Sequence, residues 1–218
     1  MFKAIVFDMD GVLFDTETVS LASWKETAPA FGIDEPSIIR AHTGCIGLNR
    51  NDGYVWLREC FGQSFESERF LDTCKVAFDR RVHEDLPLKK GTREILSYLK
   101  EHHIPTAICS STAVPVILEH LEQTGLTEYF DRIIGGNMVL HSKPQPDIYL
   151  KACETLGFEP KDCIGVEDSP NGIHSSAAAG LMTVMVPDLV APSEELRSLC
   201  LRVDESLLSL LDYLRSLE

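Results

Sequence analysis

Two acids separated by one residue, Asp8 and Asp10, close a short apolar run in the segment Ala4-Ile-Val-Phe-Asp8-Met-Asp10-Gly11. In an extended chain, residues two apart point the same way, so both carboxylates can face one site. Such a pair can attack an electrophile, move a proton or hold a hard cation. Gly11 permits a tight turn and a close approach of backbone to ligand. Asp-Gly after a buried strand also serves simply as a turn, so the tetrapeptide alone leaves both readings open.

Three further places carry matching chemistry. Ser110 follows the run Ile104-Pro-Thr-Ala-Ile-Cys109, where its hydroxyl could donate to a phosphate oxygen or cap a turn. Lys143 precedes Pro144, which turns it away from helical geometry, and Asp147 stands as an N-cap for the pattern that follows. Gly165-Val-Glu167-Asp168-Ser169 ends another apolar run with two adjacent acids, either a polar turn or the carboxylate set that Mg²⁺ prefers. Each signal is modest. Together they place a carboxylate pair, a hydroxyl, an ammonium and a second carboxylate pair after successive strands.

Those strands must position them. The runs 4–7, 105–109, 132–134, 163–166 and 182–186 read as buried parallel strands. Helical patterns fill the gaps at 92–101, 114–123, 147–156 and 172–179, the last stopped by Gly180. Strands alternating with helices imply an α/β fold, a Rossmann-like parallel sheet covered on both faces, with ligands beyond the strands' carboxyl ends. Residues 16–86 break the rhythm and read as helices at 19–31, 35–42, 51–61 and 67–82. We therefore expect a catalytic core of 1–15 and 87–218 with a helical cap of 16–86 inserted after the first strand. An insertion there would overlie the sheet's carboxyl edge and could act as a lid, hinged near Asp15-Thr16 and Leu86-Pro87.

The bulk composition narrows the partners. At 218 residues the chain can bury a sizeable core, and its formal charge of -14 disfavours nucleic acid and anionic lipid. An anionic substrate would then need a local cation or a metal. No apolar stretch is long enough to span a bilayer, and the N-terminal run reads as a strand rather than a signal peptide. Seven cysteines without a C-x-x-C pair suggest free thiols in a reducing cytoplasm.

With these motifs assembled, the chain resembles the haloacid dehalogenase-like hydrolase superfamily. The resemblance rests on Asp8-Met-Asp10-Gly-Val-Leu-Phe-Asp15-Thr-Glu17, Ser110, Lys143-Pro144 and Gly165-Val-Glu167-Asp168-Ser169, and covers essentially the whole chain. Asp15-Thr-Glu17 and the Lys143-Pro-x-Pro-Asp147 run are similar to the subgroup of β-phosphoglucomutases and sugar-phosphate phosphatases, which carries a helical cap after the first motif. The resemblance implies a central first strand and a Mg²⁺ cofactor. It also implies a metal site of Asp8, Asp10 (through its backbone carbonyl) and Asp168, with Glu167 bound or close by. Asp8 would attack phosphorus, Asp10 would act as general acid and then base, Lys143 would hold Asp8 and the phosphate, and Ser110 with neighbouring Ser111 would bind the phosphoryl oxygens.

The resemblance also divides phosphatase from mutase. Mutases of the subgroup commonly place a histidine about where Ser20 stands, and basic or amide residues where Ala113-Val114 stand. Both positions depart, which favours a phosphatase of a small phosphorylated metabolite over a β-phosphoglucomutase-like isomerase. The loop Gly47-Leu-Asn-Arg50 resembles a substrate-contacting cap loop, so Arg50 is a candidate for an anionic substrate, with Lys75 a weaker one; a surface arginine at a helix start serves equally well. A phospho-accepting signalling domain would share the acids and the lysine but lack the insertion. A catalytically silent relative would not need all four motifs. A monomer is the expected assembly.

Overall fold

The computed structural model describes residues 2–46 and 50–217, and they form two compact units, Met1–Asp15 with Pro87–Glu218 and Thr16–Leu86. The first unit is an α/β fold. Strands β1 (Ala4–Phe7), β2 (Thr106–Ser110), β3 (Arg132–Gly135), β4 (Cys163–Glu167), β5 (Met182–Met185) and β6 (Arg202–Val203) make one sheet in the order β3-β2-β1-β4-β5-β6. Every pairing is parallel, and β1 lies between β2 and β4. β1 consists of Ala, Ile, Val and Phe, all fully buried, as expected of a strand covered on both faces. One layer of that cover packs Val6, Ala107, Cys109 and Ile134 against Ile148, Tyr149 and Ala152.

Local chemistry sets the helix ends. The helix Pro170–Ala179 starts two residues before the apolar pattern begins, because the Ser169 hydroxyl accepts from the Gly172 N–H and Pro170 occupies the first turn. It stops at Gly180, whose φ of +87° suits glycine alone among common residues. The helix Asp147–Leu156 is capped otherwise than its sequence suggests. Pro146 is the cap residue, without a side-chain bond, and the Asp147 carboxylate instead accepts from His141 Nδ1 at 2.9 Å. Its buried face runs through Ile148, Tyr149, Ala152 and Cys153, while Leu150 is exposed.

The second unit is helical: Thr16–Thr27, Glu35–Cys45, Arg50–Phe61 and Ser67–Glu84. Its core joins Trp24, Ala28, Ile38, Ala41, Leu57, Phe70 and Cys74. Trp24 and Phe31 both meet Phe70 edge-on at centroid distances of 5.2 Å. Burying Phe70 completely contributes about 2–3 kcal/mol by area alone. No described helix is long and apolar enough to cross a membrane. All seven cysteines are free thiols.

His42 in this unit makes the unit's stability depend on pH. It is buried against Trp24, pairs with the Ser20 hydroxyl at 3.0 Å, and burial lowers its pKa from 6.5 to about 4. The unfolded chain therefore takes up the proton first as pH falls. His42 contributes its full stability above about pH 6.5, and that contribution is lost as pH drops through about 4. Thermal melts across this range should show a steeper acid loss for the parent than for His42→Gln. Equal slopes would remove His42 as the cause.

Candidate active site

The sheet presents its chemistry at one edge because β1, β2 and β4 end there in register. Phe7 pairs with Ile108 on one side and Val166 on the other, so Asp8, Ser110 and Glu167 emerge at neighbouring levels. The Asp8 N–H still bonds the Val166 carbonyl at 2.9 Å, which fixes Asp8 as a continuation of β1. The chain then turns at Gly11, with φ of +80°; a Cβ there would come within 2.3 Å of Asp168 Oδ2. Glycine is thus required twice over, for the backbone and for room beside the acid.

Asp8, Glu167 and Asp168 converge. Each offers a carboxylate oxygen, and these oxygens all lie within 4.8 Å of one another. Three buried or half-buried carboxyl groups this close repel one another strongly. Burial raises the Asp8 pKa from 3.8 to about 8, with the charges of Glu167 and Asp10 adding to the rise and Lys143 opposing it. Asp168 is likewise pushed well above the usual carboxylate range, first by burial and then by Asp8 and Glu167. An all-oxygen, anionic cluster that is costly to ionise by itself fits a hard divalent cation.

Lys143 supplies positive charge. Its ammonium donates to Asp8 Oδ1 at 2.5 Å, Glu167 Oε1 at 2.6 Å and the Cys109 carbonyl at 3.0 Å, with a side chain only 6% exposed. Burial disfavours this charge, but Asp8 and Glu167 outweigh it and hold the lysine pKa above its ordinary value. Glu167 is fully buried and closely seated: a Cβ at Gly172 would fall 1.9 Å from Oε2. Its Oε1 also accepts from the Tyr149 hydroxyl at 2.6 Å.

Asp10 turns to the other side of the site. Its Oδ2 accepts from Thr112 Oγ1 at 3.1 Å and lies 3.4 Å from Ser110 Oγ. Ser110 is the last residue of β2 and buried, and its Oγ accepts from the Thr112 N–H. Ser111 is exposed, just past the strand. Thr112 and Tyr149 join the site without having been singled out in the sequence. Thr112 stands two residues past Ser110, the offset of a hydroxyl turn, which could have flagged it. Tyr149 reads as one more apolar residue on a buried helix face.

Arg50 lies in the helical unit, where its guanidinium donates to the Tyr54 hydroxyl and the Asp72 carboxylate. Lys75 in the same unit pairs with Asp79 at 2.6 Å. Gly47, Leu48 and Asn49 of the loop before Arg50 lie outside the described residues. Ser20 and Lys75 line a cavity of about 280 Å³ within this unit, walled by Trp24, Leu71, Cys74 and Phe78.

Comparison with known proteins bears on this arrangement. The family model described as haloacid dehalogenase-like hydrolase matches residues 5–186. The phosphorylated carbohydrates phosphatase of Thermotoga maritima is 32% identical over 179 residues, 82% of each chain. Hexitol phosphatase B of Escherichia coli K12 is 28% identical over 188 residues, 84% of this chain and 83% of its own. Among solved structures, a HAD family hydrolase from Deinococcus radiodurans R1, crystallised with bound phosphate and sodium, superposes with a TM-score of 0.83. It has 27% identity and covers 99% of this chain and 96% of its own. Family model, relatives and fold agree, and the chain belongs to the haloacid dehalogenase-like hydrolases.

Proposed function

We propose that the protein is a Mg²⁺-dependent phosphatase that hydrolyses a small phosphorylated metabolite, a sugar phosphate by preference, through an aspartyl-phosphate on Asp8. The observation that carries this reading is the convergence of Asp8, Glu167 and Asp168, with the Lys143 ammonium bridging Asp8 and Glu167 and Asp10 bonded to Thr112. The two phosphatases acting on carbohydrate and hexitol phosphates support the substrate class.

The steps follow from the positions. A carboxylate oxygen of Asp8 attacks phosphorus, forming an O–P bond as the ester O–P bond breaks. The departing alkoxide takes a proton from Asp10, whose carboxyl is held by Thr112 and Ser110. Water then attacks the same phosphorus, gives its proton to Asp10, and the Asp8–phosphorus bond breaks. Lys143 keeps Asp8 oriented throughout, while Ser110 and Ser111 supply donors to the transferring phosphoryl oxygens. Asp8, Asp168, Glu167 and the backbone carbonyl of Asp10 would hold Mg²⁺, which would supply positive charge for the phosphoryl oxygens and relieve the repulsion within the cluster. The helical unit 16–86 is the proposed cap that selects the substrate, and Arg50 would contribute by exchanging Asp72 for a substrate anion.

The test is phosphate release from a panel of sugar phosphates, hexitol phosphates, nucleotides and pyrophosphate, with Mg²⁺ and with chelator. Release from sugar or hexitol phosphates is expected, falling to background when the metal is removed. Release that survives chelation would overturn the metal dependence. No release, together with conversion of β-glucose 1-phosphate to its 6-phosphate, would replace the phosphatase with a mutase.

A further inference from the structure

Glu167 ends β4 with no exposed surface, and its two oxygens have different surroundings. Oε1 accepts two short hydrogen bonds, one from Lys143 Nζ and one from the Tyr149 hydroxyl, each at 2.6 Å. Oε2 is approached by Ser169 Oγ at 3.4 Å and packs against Gly172. Tyr149 is itself fully buried in the helix Asp147–Leu156, so its hydroxyl is fixed by the packing of the core. Its ring also lies 5.3 Å from the Lys143 ammonium. Lys143 has three N–H donors, and all three are committed, to Asp8, Glu167 and the Cys109 carbonyl. It has none spare to make good a bond that Glu167 loses.

We propose that Tyr149 is a positioning residue for this site: its hydroxyl holds Glu167 Oε1 beside Lys143, which fixes the carboxylate within the acidic cluster that a divalent cation would occupy and leaves the ammonium aligned on Asp8. This inference rests on the phosphatase reading above. Without the phenol, Glu167 keeps one strong bond where it had two. The carboxylate is then free to rotate, and Lys143 is drawn from Asp8 toward the underbonded oxygen. The cation site and the nucleophile lose their alignment together, although neither Glu167 nor Asp8 has been altered.

Tyr149→Phe tests this with the ring, and hence the packing, retained. The probe is Mg²⁺ alone, titrated calorimetrically into metal-free protein, alongside kcat and KM for whichever phosphate ester the wild type hydrolyses. Mg²⁺ affinity and kcat should each fall roughly 10–100-fold, the usual cost of losing a partner behind a metal ligand, with KM changing less than about threefold. In a Glu167→Gln background the same Tyr149→Phe change should add less than about twofold, because its effect passes through that carboxylate. Wild-type Mg²⁺ affinity and kcat in Tyr149→Phe would overturn the proposal. So would a lower melting temperature with unchanged Mg²⁺ affinity, the mark of a merely structural role, or an undiminished effect in the Glu167→Gln background. A wild type that neither binds Mg²⁺ nor releases phosphate defeats the phosphatase reading itself. A wild type that does both, with Tyr149→Phe indistinguishable from it, defeats only the role of Tyr149.

Discussion

Asp8→Asn is expected to abolish phosphate release, by roughly 10⁴-fold or more, while leaving the metal-free fold as stable as the parent or firmer. The catalytic loss follows from the proposed mechanism, since an amide has no anionic oxygen to attack phosphorus. The stability gain follows from burial. Asp8 is 7% exposed beside two other acids, and its pKa stands at about 8 in the fold against 3.8 for the free group. A carboxyl with a raised folded pKa supports the fold fully below its unfolded pKa, and that support is lost as pH rises through the folded value. Without metal, the parent should therefore weaken between about pH 4 and pH 8, and Asp8→Asn should escape that component. Melting curves in chelator across this range, paired with phosphate release in Mg²⁺, separate the two effects. Retained Mg²⁺-dependent turnover in Asp8→Asn would sink the aspartyl-phosphate. A variant that melts lower than the parent at about pH 8 would show that the buried Asp8 charge is not the strain its surroundings imply.

The legibility of the site in the sequence has a physical reason. A strand covered on both faces must be apolar throughout, so β1 and β4 announce themselves, and the acids that end them mark where the sheet meets solvent and ligand. Asp8, Ser110, Lys143 and the Glu167-Asp168 pair could be placed at one edge because a parallel sheet aligns its carboxyl ends. What escaped did so for several reasons. β6 is two half-buried residues and carries no periodic signal. The helix Leu207–Arg215 was legible in principle, since Leu207, Leu210, Leu211 and Leu214 follow the spacing of a helix face. Thr16 and Glu17 begin a helix with no apolar periodicity in its first turn, so its start reads three residues late. Asp147 looks like a cap until His141 is seen to hold its carboxylate. Tyr149 is the sharpest case, for its hydroxyl meets an acid 18 residues away and nothing local distinguishes it from a core aromatic.

Lys143→Met is the second change of large expected effect, and it should damage stability and catalysis through one cause. Methionine keeps much of the aliphatic stem but removes the ammonium that joins Asp8, Glu167 and the Cys109 carbonyl. Breaking a buried ion pair from one side leaves the opposite charge uncompensated, a loss of about 3–5 kcal/mol. Here two carboxylates are stranded, with Asp168 still close. The metal-free variant should therefore melt well below the parent near neutral pH. Mg²⁺ should raise its melting temperature by more than it raises the parent's, because the cation then stands as the main counter-charge to the acids. Turnover should not recover with stability. In the proposed mechanism the ammonium also orients Asp8 and holds the transferring phosphoryl group, and losing both should cost on the order of 10³-fold at saturating Mg²⁺. Lys143→Arg should rescue little, since a planar guanidinium cannot place three donors around one point as an ammonium does. Melting in chelator and in Mg²⁺, read beside kcat, distinguishes the roles. Stability restored by Mg²⁺ with turnover still absent is the expected pattern, whereas full recovery of both would reduce Lys143 to a counter-charge that the metal can replace.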